Sequence, residues 1–233
     1  MKFYIRSEER PFRDVQEEAA MLQHRLNSIA YWESKLDLDD IEYVFKSEDC
    51  ATSFLLVQNL NAKSLDWLIK RDPLFPFSQS TSTPVISTRD LIEEIEDYIG
   101  EEFFSEDELA RFEPKPLKIE PEATYFMVYK HQPAFSPLLS EEVQTEIYRR
   151  TAHGQKGHES SIEISDVNPV GSTIGIHIAK TEQLDDARRP VINTMIFPDT
   201  NVEFSRVLTL FQSKRKTILR MQELGRVPLE LQA

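Results

Sequence analysis

Two carboxylates are the first candidates for chemistry. Glu18 stands beside Ala19 and one turn before Leu22, in a segment where Val15, Ala19, Leu22, Leu26 and Ile29 recur at helical spacing. It borders the apolar stripe of an amphipathic helix. A carboxylate at the rim of an apolar cleft loses hydration, so its pKa climbs toward neutrality and it can both take and return a proton. The same position also suits an ordinary first-turn glutamate held by the helix dipole. Asp72 precedes Pro73 at the end of a short helical stretch over 64–70. It either orients a partner group or forms a turn. Phe75 and Phe77 follow, apolar enough for a core or for a substrate contact.

Residues for other chemistries are sparse. The order of segments puts His131 at the end of one strand and His177 on a neighbouring strand, an arrangement that can bind a metal or meet a cofactor. Neither an HExxH motif nor a cysteine cluster accompanies them, so no metal and no cofactor are expected. His153 and His158 fall in a polar, glycine-containing stretch and read as solvated. GxGxxG, Walker and GxSxG motifs are absent from the sequence, which argues against nucleotide cofactors and serine hydrolysis. Cys50 is the only cysteine, which rules out an intrachain disulfide and suits a reducing compartment.

Periodicity supplies the elements that must hold these residues. Strands are expected over 2–6, 41–45, 53–60 and 83–87. Helices are expected from Val15 onward, over 64–70 and over 89–99, the last capped by Ser87 or Thr88 and ended by Gly100. The order then repeats. Strands fall over 125–130, 162–167, 172–180 and 203–208. Helices run from a Ser140 cap to about 151, over 184–194 with a break at Pro190, and over 211–224 up to Gly225. Phe3 and Tyr125 are 122 residues apart, as are Phe75-Pro76 and Phe197-Pro198. A near-constant offset with the same order of elements indicates duplication. The domains expected are a first ferredoxin-like repeat at 1–100, an extended, acidic, proline-containing linker at 101–122, and a second repeat at 123–233.

The fold class expected is therefore α+β: two ferredoxin-like βαββαβ repeats, each with an added C-terminal helix. Apolar residues fill both faces of the strands, as in Phe54-Leu55-Leu56-Val57, so the face without helices needs a cover. Two repeats in one chain can cover each other as an intramolecular dimeric α+β barrel, with ligand clefts between helix and sheet. Trp32 and Trp67 are expected in the core. Of 233 residues, 40% are hydrophobic, enough to build one. The net charge of −13 repels phosphate backbones and anionic lipids, so neither nucleic acid nor membrane is an expected partner. With no signal-peptide core and no membrane-length apolar run, a cytoplasmic protein is expected. Its partner would be a small-molecule substrate, with a homo-oligomer also open.

Arg71-Asp72-Pro73-Leu74-Phe75-Pro76-Phe77 carries a family resemblance. A helix ending in Pro-Leu-Phe-Pro-aromatic before the last strand resembles muconolactone isomerase. An Asp-Pro at the same junction resembles the YciI-like proteins. Both belong to the dimeric α+β barrel superfamily, and the resemblance covers most of 1–88 and, more faintly, 123–210. It implies a helix-borne acid/base group together with the Asp of Asp-Pro. Counting along the chain points to His24, but helical phase sets His24 nearly opposite Leu22, Leu26 and Ile29, toward solvent. His24 stays a candidate for substrate contact. Glu18 resembles the glutamate that the isomerases carry near the start of this helix. In the second repeat Glu142 takes the place of Glu18, but Thr194 stands where Asp72 would, so any reaction is expected in the first half.

The function expected is a cofactor-independent small-molecule isomerase, cyclase or lyase. Glu18 would be its general acid/base and Asp72 the helper, with Phe75, Phe77 and His24 against the substrate. The alternatives are a non-catalytic ligand-binding or assembly protein and a cofactor-free monooxygenase of the same superfamily.

Overall fold

The computed structural model describes residues 2–36, 38, 40–110, 118–132, 142, 145–146, 161–165, 173–180 and 201–226. The helices expected over 140–151 and 184–194, together with Thr194, His153 and His158, lie outside the described residues, apart from a few helical positions such as the exposed Glu142. In chain order the elements are β1 (Lys2–Glu9), α1 (Val15–Glu33), β2 (Ile41–Ser47), β3 (Thr52–Val57) and α2 (Ala62–Lys70). A 3₁₀ turn at Phe75–Phe77 leads into β4 (Ser78–Ser87), α3 (Thr88–Ile99) and α4 (Glu106–Leu109). Then come β5 (Tyr125–Gln132), β6 (Ser161–Ser165), β7 (Thr173–Lys180), β8 (Asn201–Leu208) and α5 (Leu210–Glu223).

Local chemistry sets the helix ends. Asp14 and Asn61 accept hydrogen bonds from the backbone N–H groups of Glu17 and Ser64, which would otherwise lack partners. Ser87 with Asp90, and Thr209 with Gln212, form capping boxes that start α3 and α5. Gly100 ends α3 at φ 74, a left-handed conformation that a side chain disfavours.

Two segments differ from expectation. β4 begins at Ser78 rather than 83, because a polar run with no apolar alternation pairs with β1 through hydroxyls as well as backbone. Ser80 Oγ lies 2.9 Å from Ser7 Oγ. The linker expected to be extended contains α4, and its Phe104 and Leu109 pack on Ile92 and Ile95 of α3. Glu96 holds this segment in place by accepting hydrogen bonds from the N–H groups of Phe103 (2.6 Å) and Phe104 (3.0 Å).

The α+β fold class follows from strand order. The first repeat lines up β4, β1, β3 and β2, and the second β8, β5, β7 and β6, the same permutation in both. The pairs β1–β3, β2–β3, β5–β7 and β6–β7 are antiparallel. That is the order a βαββαβ unit generates.

Two compact units cut across the repeats. Unit 1 comprises 1–82, 117–124 and 206–233, and unit 2 comprises 83–116 and 125–205. In unit 1, Ile5, Val44, Leu55 and Val57 on one sheet face pack with Ile29, Trp32, Leu65, Leu68 and Leu210. The opposite face carries Tyr4, Tyr43, Phe45 and Leu56, which are also buried. α5, the last helix of the second repeat, belongs to this unit, and its Met221 packs on Leu22 and Leu26 of α1. In unit 2, Ile86 and Ser87 of β4 pair with Glu163 and Ile162 of β6, and α3 belongs here. Each repeat thus gives its added helix to the other unit. No helix among the described residues is long and apolar enough to cross a membrane.

Gly100→Ala is expected to cost about 1 kcal/mol in chemical unfolding, the penalty for a side chain at positive φ. Nothing lies within 4 Å of the added Cβ, so the cost is backbone strain alone and Gly100→Asn should recover part of it.

Candidate functional site

Polar groups collect in the helix–sheet layer of unit 1, and strand register explains why. Ile5, Leu55 and Val44 face one another across β1, β3 and β2. Two residues further along each strand, on the same face, the set becomes Ser7, Ser53 and Lys46. Lys46 is fully buried and donates to Ser53 Oγ at 2.5 Å. Burial pushes its amine below the usual lysine range, against the pull of Glu9 and Asp72. Next to it, Arg25 of α1 grips Glu9 with two bonds, Nε–Oε1 at 3.0 Å and Nη2–Oε2 at 2.7 Å. Burial opposes the charge on Arg25, but the hydrogen bond and charge of Glu9 outweigh it and raise the guanidinium pKa.

Asp72 is buried in the same unit. Its Oδ2 accepts from Trp32 Nε1 at 2.7 Å, and its Oδ1 accepts from the Leu74 N–H at 2.9 Å. Glu18 is engaged elsewhere. Arg220 of α5 donates to both its oxygens, Nε–Oε1 at 2.7 Å and Nη2–Oε2 at 3.2 Å. Glu18 and the Trp32 that holds Asp72 lie at opposite ends of α1, about 21 Å apart at 1.5 Å per residue. The two carboxylates are not brought together.

His24 and Phe77 are. Their ring centroids are 4.5 Å apart, and Arg10 lies 5.5 Å over the same Phe77 ring while pairing with Glu17 at 2.7 Å. His24 is therefore half-buried rather than solvent-facing. Helical phase alone accounts for one buried face, whereas α1 has three contacts. Leu22 and Leu26 meet α5, Ile29 and Trp32 meet the sheet side, and His24 meets the 3₁₀ turn. Phe75 is half-buried. Trp32 is in the core as expected, but Trp67 is exposed, with the Arg71 guanidinium 3.8 Å over its ring. The buried stripe of α2 is Leu65 and Leu68, and Trp67 falls off it. In the second repeat, His177 pairs with Val128 and His131 with Ile174. The odd separation assigns the two histidine positions to opposite sheet faces.

Lys46, Arg25 and Glu9 were not among the sequence candidates. Their signal was phase: Lys46 alternates with Val44, and Arg25 falls between Leu22 and Ile29 on the buried stripe.

No family model matches the chain, and no curated protein matches it. Solved structures do. A mutant chlorite dismutase from Candidatus Nitrospira defluvii matches with TM-score 0.55 and 10% identity, over 93% of this chain and 94% of that one. The same enzyme in complex with imidazole matches with TM-score 0.52 and 10% identity, over 93% and 94%. A heme-binding protein from Thermus thermophilus matches with TM-score 0.53 and 10% identity, over 97% of each chain. At this identity the likeness is one of fold. It agrees with the α+β fold and its curled antiparallel sheet.

These findings correct the expected function. The similar structures are heme-binding and chlorite dismutase proteins rather than cofactor-independent isomerases, cyclases or lyases. A heme needs an accessible axial ligand beside a flat apolar slot. Neither His24, nor Cys50, nor the groove beside α3 supplies that arrangement. The His24 ring lies on Phe77, Cys50 is buried in a turn, and the groove of about 390 Å³ beside α3 is lined by Glu93, Glu96, Asp97, Glu101, Glu102 and Glu106.

Two stability measurements probe the layer. Asp72→Ala leaves the buried Trp32 N–H without an acceptor and should cost about 2–3 kcal/mol, whereas the surface change Lys70→Ala should be near neutral. Lys46 binds a proton more weakly folded than unfolded, so unfolding stability should rise with pH between its lowered folded pKa and the ordinary lysine value. The slope is at most about 1.4 kcal/mol per pH unit. Lys46→Met should remove that slope, and an unchanged alkaline profile would contradict the assignment.

Proposed function

We propose that the protein binds a flat, largely apolar small molecule and does not transform it through Glu18 or Asp72. The supporting observation is that all four oxygens of these two carboxylates already accept hydrogen bonds, from Arg220 in one case and from Trp32 and Leu74 in the other. Each carboxylate is thereby held to its own protein partners, and the two stand apart, so neither can assist the other at one substrate. The ligand class comes from the fold shared with the heme-binding protein, and fold alone leaves the ligand itself open. The Asp-Pro junction that resembles the YciI-like proteins serves here to build the turn after α2. A cytoplasmic setting suits the lone buried Cys50.

Thermal unfolding with hemin, and in parallel with metal-free protoporphyrin IX, tests this reading. The reading rests on contact with the ring and not on ligation of iron, so both are expected to raise Tm alike. Saturation at a hundredfold excess over Kd corresponds to about 2.7 kcal/mol. Native mass spectrometry should count one ligand per chain. If neither compound stabilises the fold or appears bound, the reading fails. Stabilisation by hemin alone would replace ring contact with ligation of iron.

A further inference from the structure

The chain is strongly acidic, yet α5 carries Lys214, Arg215, Lys216 and Arg220. Three of these cations are engaged within unit 1. Lys214 pairs with Glu33 at 3.4 Å, Lys216 donates to the Glu48 carbonyl at 2.6 Å, and Arg220 holds Glu18 and Glu223. Arg215 has no ion-pair partner among the described residues. It is flanked at i−4 and i+4 by Phe211 and Leu219, which are 46% and 52% exposed. Residues four apart share a helix face, so the outside of α5 presents an apolar–cation–apolar ridge.

α3 presents the opposite chemistry. Glu94 and Asp97 are exposed and have no ion-pair partner among the described residues, and Tyr98 beside them is 54% exposed. On a chain of net charge −13, long-range repulsion opposes self-association, and least so where a basic surface meets an acidic one. The ridge of α5 is such a surface, with apolar side chains to bury and a cation to place.

We propose that the Phe211–Arg215–Leu219 ridge of α5 docks on the Glu94–Asp97–Tyr98 face of α3 in a second copy of this chain. The two surfaces differ, so the contact is heterologous and each copy can both give and receive one. A contact this narrow belongs to the weak, transient class.

Sedimentation velocity on the full chain tests it. Concentration-dependent association is expected, weakening about tenfold as ionic strength rises from roughly 0.05 to 0.5 M and the Debye length shrinks. Arg215→Glu alone and Glu94→Arg/Asp97→Arg alone should each be monomeric, with wild-type circular dichroism and melting because all three sites are exposed. Mixing the two variants restores both contacts, one native and one with its charges exchanged, so assembly should return. A wild type that stays monomeric, an Arg215→Glu protein that still assembles, or a mixture that stays monomeric would each overturn the proposal.

Discussion

Charge buried between α1 and the first sheet is the constraint on which the rest of unit 1 depends. Taking a carboxylate or a guanidinium out of water is costly unless each finds a directional partner. Glu9 and Arg25 meet this condition by locking together, which ties the end of β1 to the middle of α1. Asp72 meets it through Trp32 and Leu74, which ties the end of α1 to the end of α2. Apolar packing alone would let a helix slide along a sheet at modest cost. A two-bond guanidinium fork tolerates no such slide, because a displaced Arg25 would leave Glu9 buried and unpaired. Among the described residues Lys46 has only the Ser53 hydroxyl, and its depressed pKa is the mark of that incomplete compensation.

Element types were legible in the sequence because their signals are local. The Ser87 cap and the Gly100 stop of α3 depend on a few neighbouring residues, and they sit where residue preference places them. The strand order was legible through the repeat. What escaped was set by distant partners. β4 starts early because Ser7 lies opposite Ser80, and α4 forms because α3 leaves Ile92 and Ile95 to be covered. His24 was misjudged because one helix can bury three faces, and Trp67 because apolar character alone does not place a residue on a buried stripe. The polar layer was legible in principle: a lysine in phase with Val44 is a buried lysine.

The exchange of terminal helices gives the duplication a physical consequence. α5 follows the last strand of the second repeat, yet its Met221 covers Leu22 and Leu26 in unit 1. α3 follows the last strand of the first repeat and belongs to unit 2. Each unit therefore takes part of its helix layer from the other repeat. A single repeat would leave apolar stripes such as Leu22–Leu26 open to water, and the two halves of the chain are tied by this need as well as by the covalent link.

The Asp-Pro motif has a structural task in this chain. Asp72 Oδ1 accepts from the N–H two residues on, the bond of an Asx-turn, and Pro73 presets the backbone for that turn. Any chain that must leave a helix and enter the 3₁₀ turn before the last strand has use for these two residues, whatever it does with a ligand. The same logic applies to Glu18. A glutamate near the start of α1 has a structural task once α5 brings Arg220 across from it. At both sites the side chain joins one element to another. Only the partners could reveal that.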